Sequence, residues 1–226
     1  MMYLSALRQA LTAVILIVAS VGVAAQEVKL LPVDEGASDG SWMRFKVRLL
    51  EALARHDQKF ILGIVDAKIR NISEKDGVAE FKKLWEPHFA ESPLWVELPK
   101  LLFLGGAFVK RDTGVYEYCA PYVYFKWPDY ADADASGAII AKEALLKARP
   151  ASSAQTLQIL SYDLVKVLDW EVADVDQEAK QKWVKLQAKA GVGYVPEEQV
   201  RSPLEYRACF IKSGAAWRMT GLEVGE

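Results

Sequence analysis

The sequence predicts an α+β fold, with a helical region, a strand-rich region and a second, all-β region. Three observations carry this. Apolar residues recur at helical spacing between residues 41 and 103. Near residue 115 the pattern changes to Tyr-, Val- and Phe-rich runs of strand type. From 144 to 195 short strand-like runs alternate with turn signals, which suggests a small barrel. The 226 residues are 52% hydrophobic and 26% charged, a globular balance and enough chain for one large domain or two small ones.

The first 25 residues read as an address. Met1–Ala25 carries one charge, Arg8, then an apolar run from Ala10 to Ala19, then Val23-Ala24-Ala25 ahead of Gln26. A positive start, a short apolar core and small residues before the cut make a secretory signal peptide over 1–25. The alternative is an uncleaved anchor, but a spanning helix needs roughly 20 apolar residues. With cleavage favoured, no stable membrane span is expected, and the chain is placed in the periplasm or outside the cell. In such an oxidising compartment two Cys read as a disulfide rather than a catalytic thiol. Asn71-Ile72-Ser73 matches a glycosylation sequon, which only a eukaryotic secretory route would use.

In the mature chain, residues 26–40 read as an extended lead-in. Ser41 is the candidate N-cap of a first helix whose stripe is Trp42, Phe45, Leu49 and Leu53. A second helix opens near Asp57 and carries Phe60, Ile61, Ile64 and Val65, followed by a short strand over Lys68–Ile72. Gly77–Trp85 forms a third helix. Ser92-Pro93 opens a fourth, with Leu94, Trp95, Leu98, Leu101, Leu102 and Phe103 as its apolar set. Pro99 predicts a kink or break within it, and Gly105-Gly106 its end.

Val115–Trp127 then reads as one strand, on an edge or bulged because of Pro121. Strict alternation puts Tyr116, Tyr118, Tyr122 and Tyr124 on one face. Asp129–Gly137 has linker composition. Short strands follow at 144–147, 156–160, 164–168, 183–186 and 193–195, with a polar loop at 171–181. Two last strand-like runs, 206–211 and 216–224, form a hairpin that needs a sheet to join.

Residues 144–200 resemble a bacterial SH3 (SH3b-type) domain. The pieces are Leu145–Ser152 around Pro150, Thr156–Leu160, Leu164–Leu168, Trp183-Val184-Lys185-Leu186 and Gly193-Tyr194-Val195. The remainder, 41–128 plus 204–226, resembles the cone-shaped α+β fold of SnoaL-like and nuclear-transport-factor-like proteins, on the order of its elements and a final strand bearing Trp217-Arg218-Met219-Thr220. Together these resemblances imply an SH3-like barrel over 135–203 inserted into a discontinuous α+β domain, whose helices pack on a curved antiparallel sheet. The closing hairpin would return to a sheet beside Val115–Trp127, and Cys119 and Cys209, on either side of the insert, would be bonded. The layout is similar to secreted bacterial SH3-containing proteins, and implies no particular reaction.

Composition narrows the chemistry. A formal charge of -2 argues against a mainly basic nucleic-acid surface. Two Cys and two His cannot supply a zinc-finger set, and no HxH or HExxH spacing exists, so no metal or cofactor is expected. Cys119 with His56 or His88 has the elements of a nucleophile and base, although Cys209 competes for the thiol and solvated loop positions suit both His. The four-Tyr face is a candidate pocket lining, with Asp112 as a companion carboxylate, or a packing surface. Tyr162, Trp183 and Tyr194 are candidates for a shallow peptide or glycan groove on the barrel, with Trp183 and Tyr194 alternatively filling its core. The favoured reading is an exported, non-enzymatic binding or scaffold protein of the bacterial envelope, touching peptidoglycan or an envelope protein. The alternatives are a small-molecule binder or acid/base enzyme using the α+β pocket, and a purely structural envelope module.

Overall fold

Two hydrogen-bonded sheets, each with its own apolar core, divide the protein in the computed structural model, which describes residues 28–73, 75–112, 114–176 and 181–224. The expected signal peptide, 1–25, lies outside the described residues.

Helix α1 (Gly40–Ala54) starts two residues earlier than its Ser41 reading, because Asp39 is the better cap: its Oδ1 accepts from the Ser41 and Trp42 amides at 2.7 and 3.0 Å. Its buried stripe is Trp42, Phe45, Leu49, Ala52 and Leu53. Asp57 caps α2 (Gln58–Ile64) through the Phe60 amide, at 2.9 Å. Val65, read as helical, instead opens strand β1 (Val65–Arg70). The following turn is held by Asn71. Its buried amide donates to the Lys75 and Gly77 carbonyls at 3.1 and 3.2 Å, so the sequon's acceptor nitrogen is occupied.

Helix α3 (Val78–Trp85) leads to α4 (Leu94–Phe103). Pro93 already has helical φ and ψ, and the Ser92 hydroxyl accepts from the Leu94 amide at 3.2 Å. The break expected at Pro99 does not occur; α4 runs through it. Phe103 also departs from expectation. It follows Leu102 by about 100° around the helix, leaves the buried stripe, and is 74% exposed.

Strand β2 (Ala107–Lys110) was not read from sequence; β3 covers only Tyr116–Ala120. Pro121 ends it, and Tyr122–Phe125 form the single-turn helix α5. The long strand expected over 115–127 is thus cut to five residues, because Pro121 removes a ladder donor.

The second sheet takes all seven strands from the next stretch: β4 (Ser136–Ile139), β5 (Ala144–Lys147), β6 (Thr156–Leu160), β7 (Leu164–Ala173), β8 (Lys182–Ala188), β9 (Gly191–Pro196) and β10 (Val200–Arg201). Its order is β10-β4-β7-β8-β9-β5-β6, antiparallel throughout. β4 claims the end of the stretch read as linker, and β7 runs into the stretch read as the 171–181 loop. Every strand contributes to one core, from Ile139 and Val200 through Val165, Val184 and Val195 to Leu146 and Leu160.

The chain then returns to the first sheet. β11 (Tyr206–Ser213) and β12 (Ala216–Val224) form its closing hairpin, and the order is β1-β12-β11-β3-β2. The hairpin is the sheet's middle, not its rim. β1 joins β12 in parallel, so this sheet is mixed, where the resemblance implied an antiparallel one. β11 pairs antiparallel to β3 with Cys209 opposite Cys119, and the two sulfurs are bonded across 90 residues of sequence.

Two stability measurements follow. Cys119→Ala with Cys209→Ala, or reduction, lowers unfolding free energy by roughly 4–5 kcal/mol at most on chain entropy alone, read as a fall in the urea midpoint. Asp39→Ala costs about 1 kcal/mol. Bonds from the Ser41 hydroxyl and the Trp42 amide hold the Asp39 carboxyl below its ordinary range. Its contribution is therefore present at neutral pH and lost as pH falls below about 4; the variant's acid unfolding curve is correspondingly flatter.

Candidate binding cleft

The four tyrosines do not share a face. Tyr116 is exposed at the start of β3. Tyr118 is in the core, its ring centroid 4.0 Å from that of Trp42, and its hydroxyl donates to Asp34 Oδ1 at 2.7 Å. Tyr122 is buried on α5, its hydroxyl 3.3 Å from the Leu30 carbonyl. Tyr124 lies under Arg207, 4.1 Å from ring to guanidinium. The turn at Pro121 rotates the last two away from the first two. Burial, then the bond to Asp34, pushes the Tyr118 hydroxyl far above its ordinary pKa; burial and Tyr162 push Tyr122 up to about 12. Neither is poised for proton transfer near neutrality. Asp112 is exposed in the loop after β2. Where the enzyme alternative puts a pocket, the rings of Trp42, Phe45, Tyr118, Phe210 and Trp217 pack on one another.

The predicted barrel groove also divides. The β8–β9 register pairs Trp183 with Pro196 and Lys185 with Tyr194, so Trp183 and Tyr194 share one face. That face is opposite the core face of Val184 and Leu186. Yet Trp183 is 1% exposed, sealed beneath the loop of Asp174, whose Oδ2 accepts from its indole at 2.9 Å. Tyr162 sits elsewhere, its carbonyl accepting from Leu30 N at 2.7 Å. The three cannot form one exposed platform.

Cys119 is disulfide-bonded, and His56 and His88 are exposed in turns, His56 stacked on Trp95 with centroids 4.9 Å apart. No nucleophile–base pair is assembled from them. Glu117 lies within 4.8 Å of both sulfurs, a potential metal-ligating group. Those donors are already engaged. The sulfurs bond each other, and Glu117, 2% exposed, meets Arg70 at 3.3 Å, Arg111 at 3.1 Å and the Thr220 hydroxyl. Arg70 continues to Glu223 at 3.0 Å. A Cβ on Gly221 would stand 2.7 Å from an Arg70 terminal nitrogen, so glycine makes room for this network.

What the structure does offer is a cleft of about 1000 Å³ between α4 and the second sheet, at the upper end of ordinary ligand-site volumes. Glu97, Lys100, Phe103 and Leu104 form the helix wall. Ile140, Trp170, Glu171 and Lys182 stand opposite. The turn of Glu197 and Glu198, and the crossing from Arg201 to Glu205, complete the lining. Three ion pairs line it: Lys100–Glu97 at 2.8 Å, Lys182–Glu171 at 2.7 Å and Arg201–Glu205 at 3.0 Å. Desolvation pushes the Glu205 carboxyl above its ordinary value, against the pull of Arg201. Glu197 and Glu198 make no ion pair among the described residues. The lining therefore carries uncompensated negative charge beside two aromatic rings.

Sequence reasoning missed this cleft. Phe103's position off the α4 stripe was its one local signal, together with an acidic pair after Pro196. That Trp170 lines the same cleft is a tertiary fact. No family model, curated protein or solved structure matches the chain.

Trp183→Ala will act as a core deletion. It costs about 3–5 kcal/mol, read by urea unfolding, whereas loss of an exposed groove aromatic would stay within about 0.5 kcal/mol.

Proposed function

We propose that this chain is an exported, non-enzymatic binding or scaffold protein of the bacterial envelope, whose SH3-like β-unit contacts cell-wall peptide or an envelope protein. The observation that carries the reading is the cleft at the junction of the two sheets: large, open and lined by aromatic and charged groups. Ligand sites favour such junctions. The SH3-like description draws support from the second sheet. Its seven strands feed one core, and no α-helix packs broadly on it among the described residues. A sheet that must cover its own apolar face does so by curling. The first layer then serves as holder, its interior closed by packed rings.

Export is compatible with the disulfide, since such bonds persist in oxidising compartments. Among the described residues no helix is long and apolar enough to cross a membrane.

The test is co-sedimentation of the chain lacking residues 1–25 with purified peptidoglycan. Retention clearly above that of an unrelated acidic protein of similar size is expected. Equal retention would reject wall recognition.

A further inference from the structure

The cleft's charge says more about its occupant than its volume does. Glu97, Glu171 and Glu205 each have a cation within 3.0 Å; Glu197 and Glu198 make no ion pair among the described residues, although Glu197 lies near enough to Lys182 to help keep its ammonium charged. Both lie on one short turn, Glu198 exposed and Glu197 half-buried, at the mouth of the same cleft. The aromatic groups are placed differently. Phe103 is 74% exposed on the helix wall, and Trp170 is half-buried on the sheet wall, one side of it packed against the second core. An exposed phenyl ring and an indole lining one cleft, with an excess of carboxylates beside them, match a side chain that is apolar along its stem and cationic at its tip.

We propose that the cleft binds a peptide bearing lysine-type primary ammonium side chains. The alkyl stems pack between Phe103 and Trp170, and the ammonium groups face Glu197 and Glu198. An anionic ligand would meet a lining with more carboxylates than cations, and a neutral one would leave that excess unmatched. This inference rests on the binding reading of the same cleft and names its ligand chemistry. The cleft is too large for a single side chain, so a multi-residue segment is the committed occupant, held by salt-sensitive attraction at the mouth and by apolar contact deeper in.

The probe is a fluorescent hexapeptide of alternating Ala and Lys, titrated into the protein by anisotropy beside the same peptide with acetylated lysines. Binding of the lysine peptide, weakened at high salt and by acetylation, is expected. E197Q with E198Q lowers affinity about tenfold, the size two solvent-facing charge pairs of ordinary strength give together. Phe103→Ser also weakens binding while leaving the urea midpoint in place, because the ring is exposed. The control is D132N with D134N, in an exposed acidic loop outside the cleft, which leaves affinity unchanged. Equal binding of both peptides, no effect of E197Q with E198Q, or an equal loss from the control pair overturns the proposal. Peptidoglycan retention separates the two readings. If the wild type is retained and E197Q with E198Q does not alter retention, wall binding stands and the cationic cleft falls. If neither peptidoglycan nor the lysine peptide binds, both fall.

Discussion

Everything in the first layer depends on β11 lying between β3 and β12. That strand is the middle of a five-stranded sheet, yet it follows β3 by some eighty residues of sequence and an entire second sheet. Its register is fixed three times over. Tyr118 and Ala120 of β3, with Ala208 and Phe210 of β11, face the helices and fill the core. Glu117 and Cys119 point to the other face, where Arg70, Arg111 and Thr220 satisfy the carboxylate. The disulfide joins the directly opposed pair Cys119 and Cys209. A slip by one residue would carry Glu117 toward the rings and the aromatic side chains toward the ion pairs. Apolar burial, charge pairing and a covalent bond all select the same alignment.

The segment before α1 ties the two sheets together. Lys29 pairs with Asp163 at 2.8 Å, and Leu30 exchanges bonds with both Tyr162 and Tyr122, at the edge of the second sheet and on α5. A few residues on, Asp34 accepts from Tyr118 and pairs with Lys46, while Glu35 pairs with Lys126 and accepts from the Phe108 amide. Gly36 sits where a Cβ would collide with the Trp42 and Tyr118 rings. The stretch read as an extended lead-in is therefore a strap with partners on both sides.

Local signals made much of this legible. Asp57 announced α2, and the runs 144–147, 156–160 and 216–224 carried enough β-branched and apolar alternation to be placed residue for residue. The return of the hairpin to the first sheet, and the cysteine pair, came from resemblance and from the order of the pieces. What failed did so where tertiary contacts outvote local pattern. Tyr116–Tyr124 alternates like one strand, but Pro121 withholds a donor and the chain turns into α5. Trp183 has the look of a groove aromatic, and the Asp174 loop covers it. The cleft itself was illegible, because its walls come from α4, β7 and the turn after β9, which no window of sequence contains.

Part of that cleft's lining also joins the two sheets. Arg201 belongs to β10, the edge of the second sheet, but its guanidinium reaches the Tyr206 carbonyl that opens β11 at 2.7 Å, and pairs with Glu205 on the crossing between them. Only 7% of its side chain is exposed, and burial pushes its pKa below the ordinary value. A desolvated guanidinium is a poor way to gain stability compared with apolar packing. It is a good way to fix a direction, since its planar fork engages two separate groups at set angles. Here the two groups belong to the returning strand and its approach, so Arg201 joins the edge of the second sheet to the start of β11. The Glu197–Glu198 turn immediately precedes β10, while Phe103 ends α4, whose apolar stripe packs in the first core. The junction that holds those two walls is therefore shared: Arg201 ties β10 to β11 at the crossing, and the apolar cluster of Leu30, Tyr122, Val123 and Ala138, with Leu104 and Ile140 of the cleft lining packed on it, joins the two sheets.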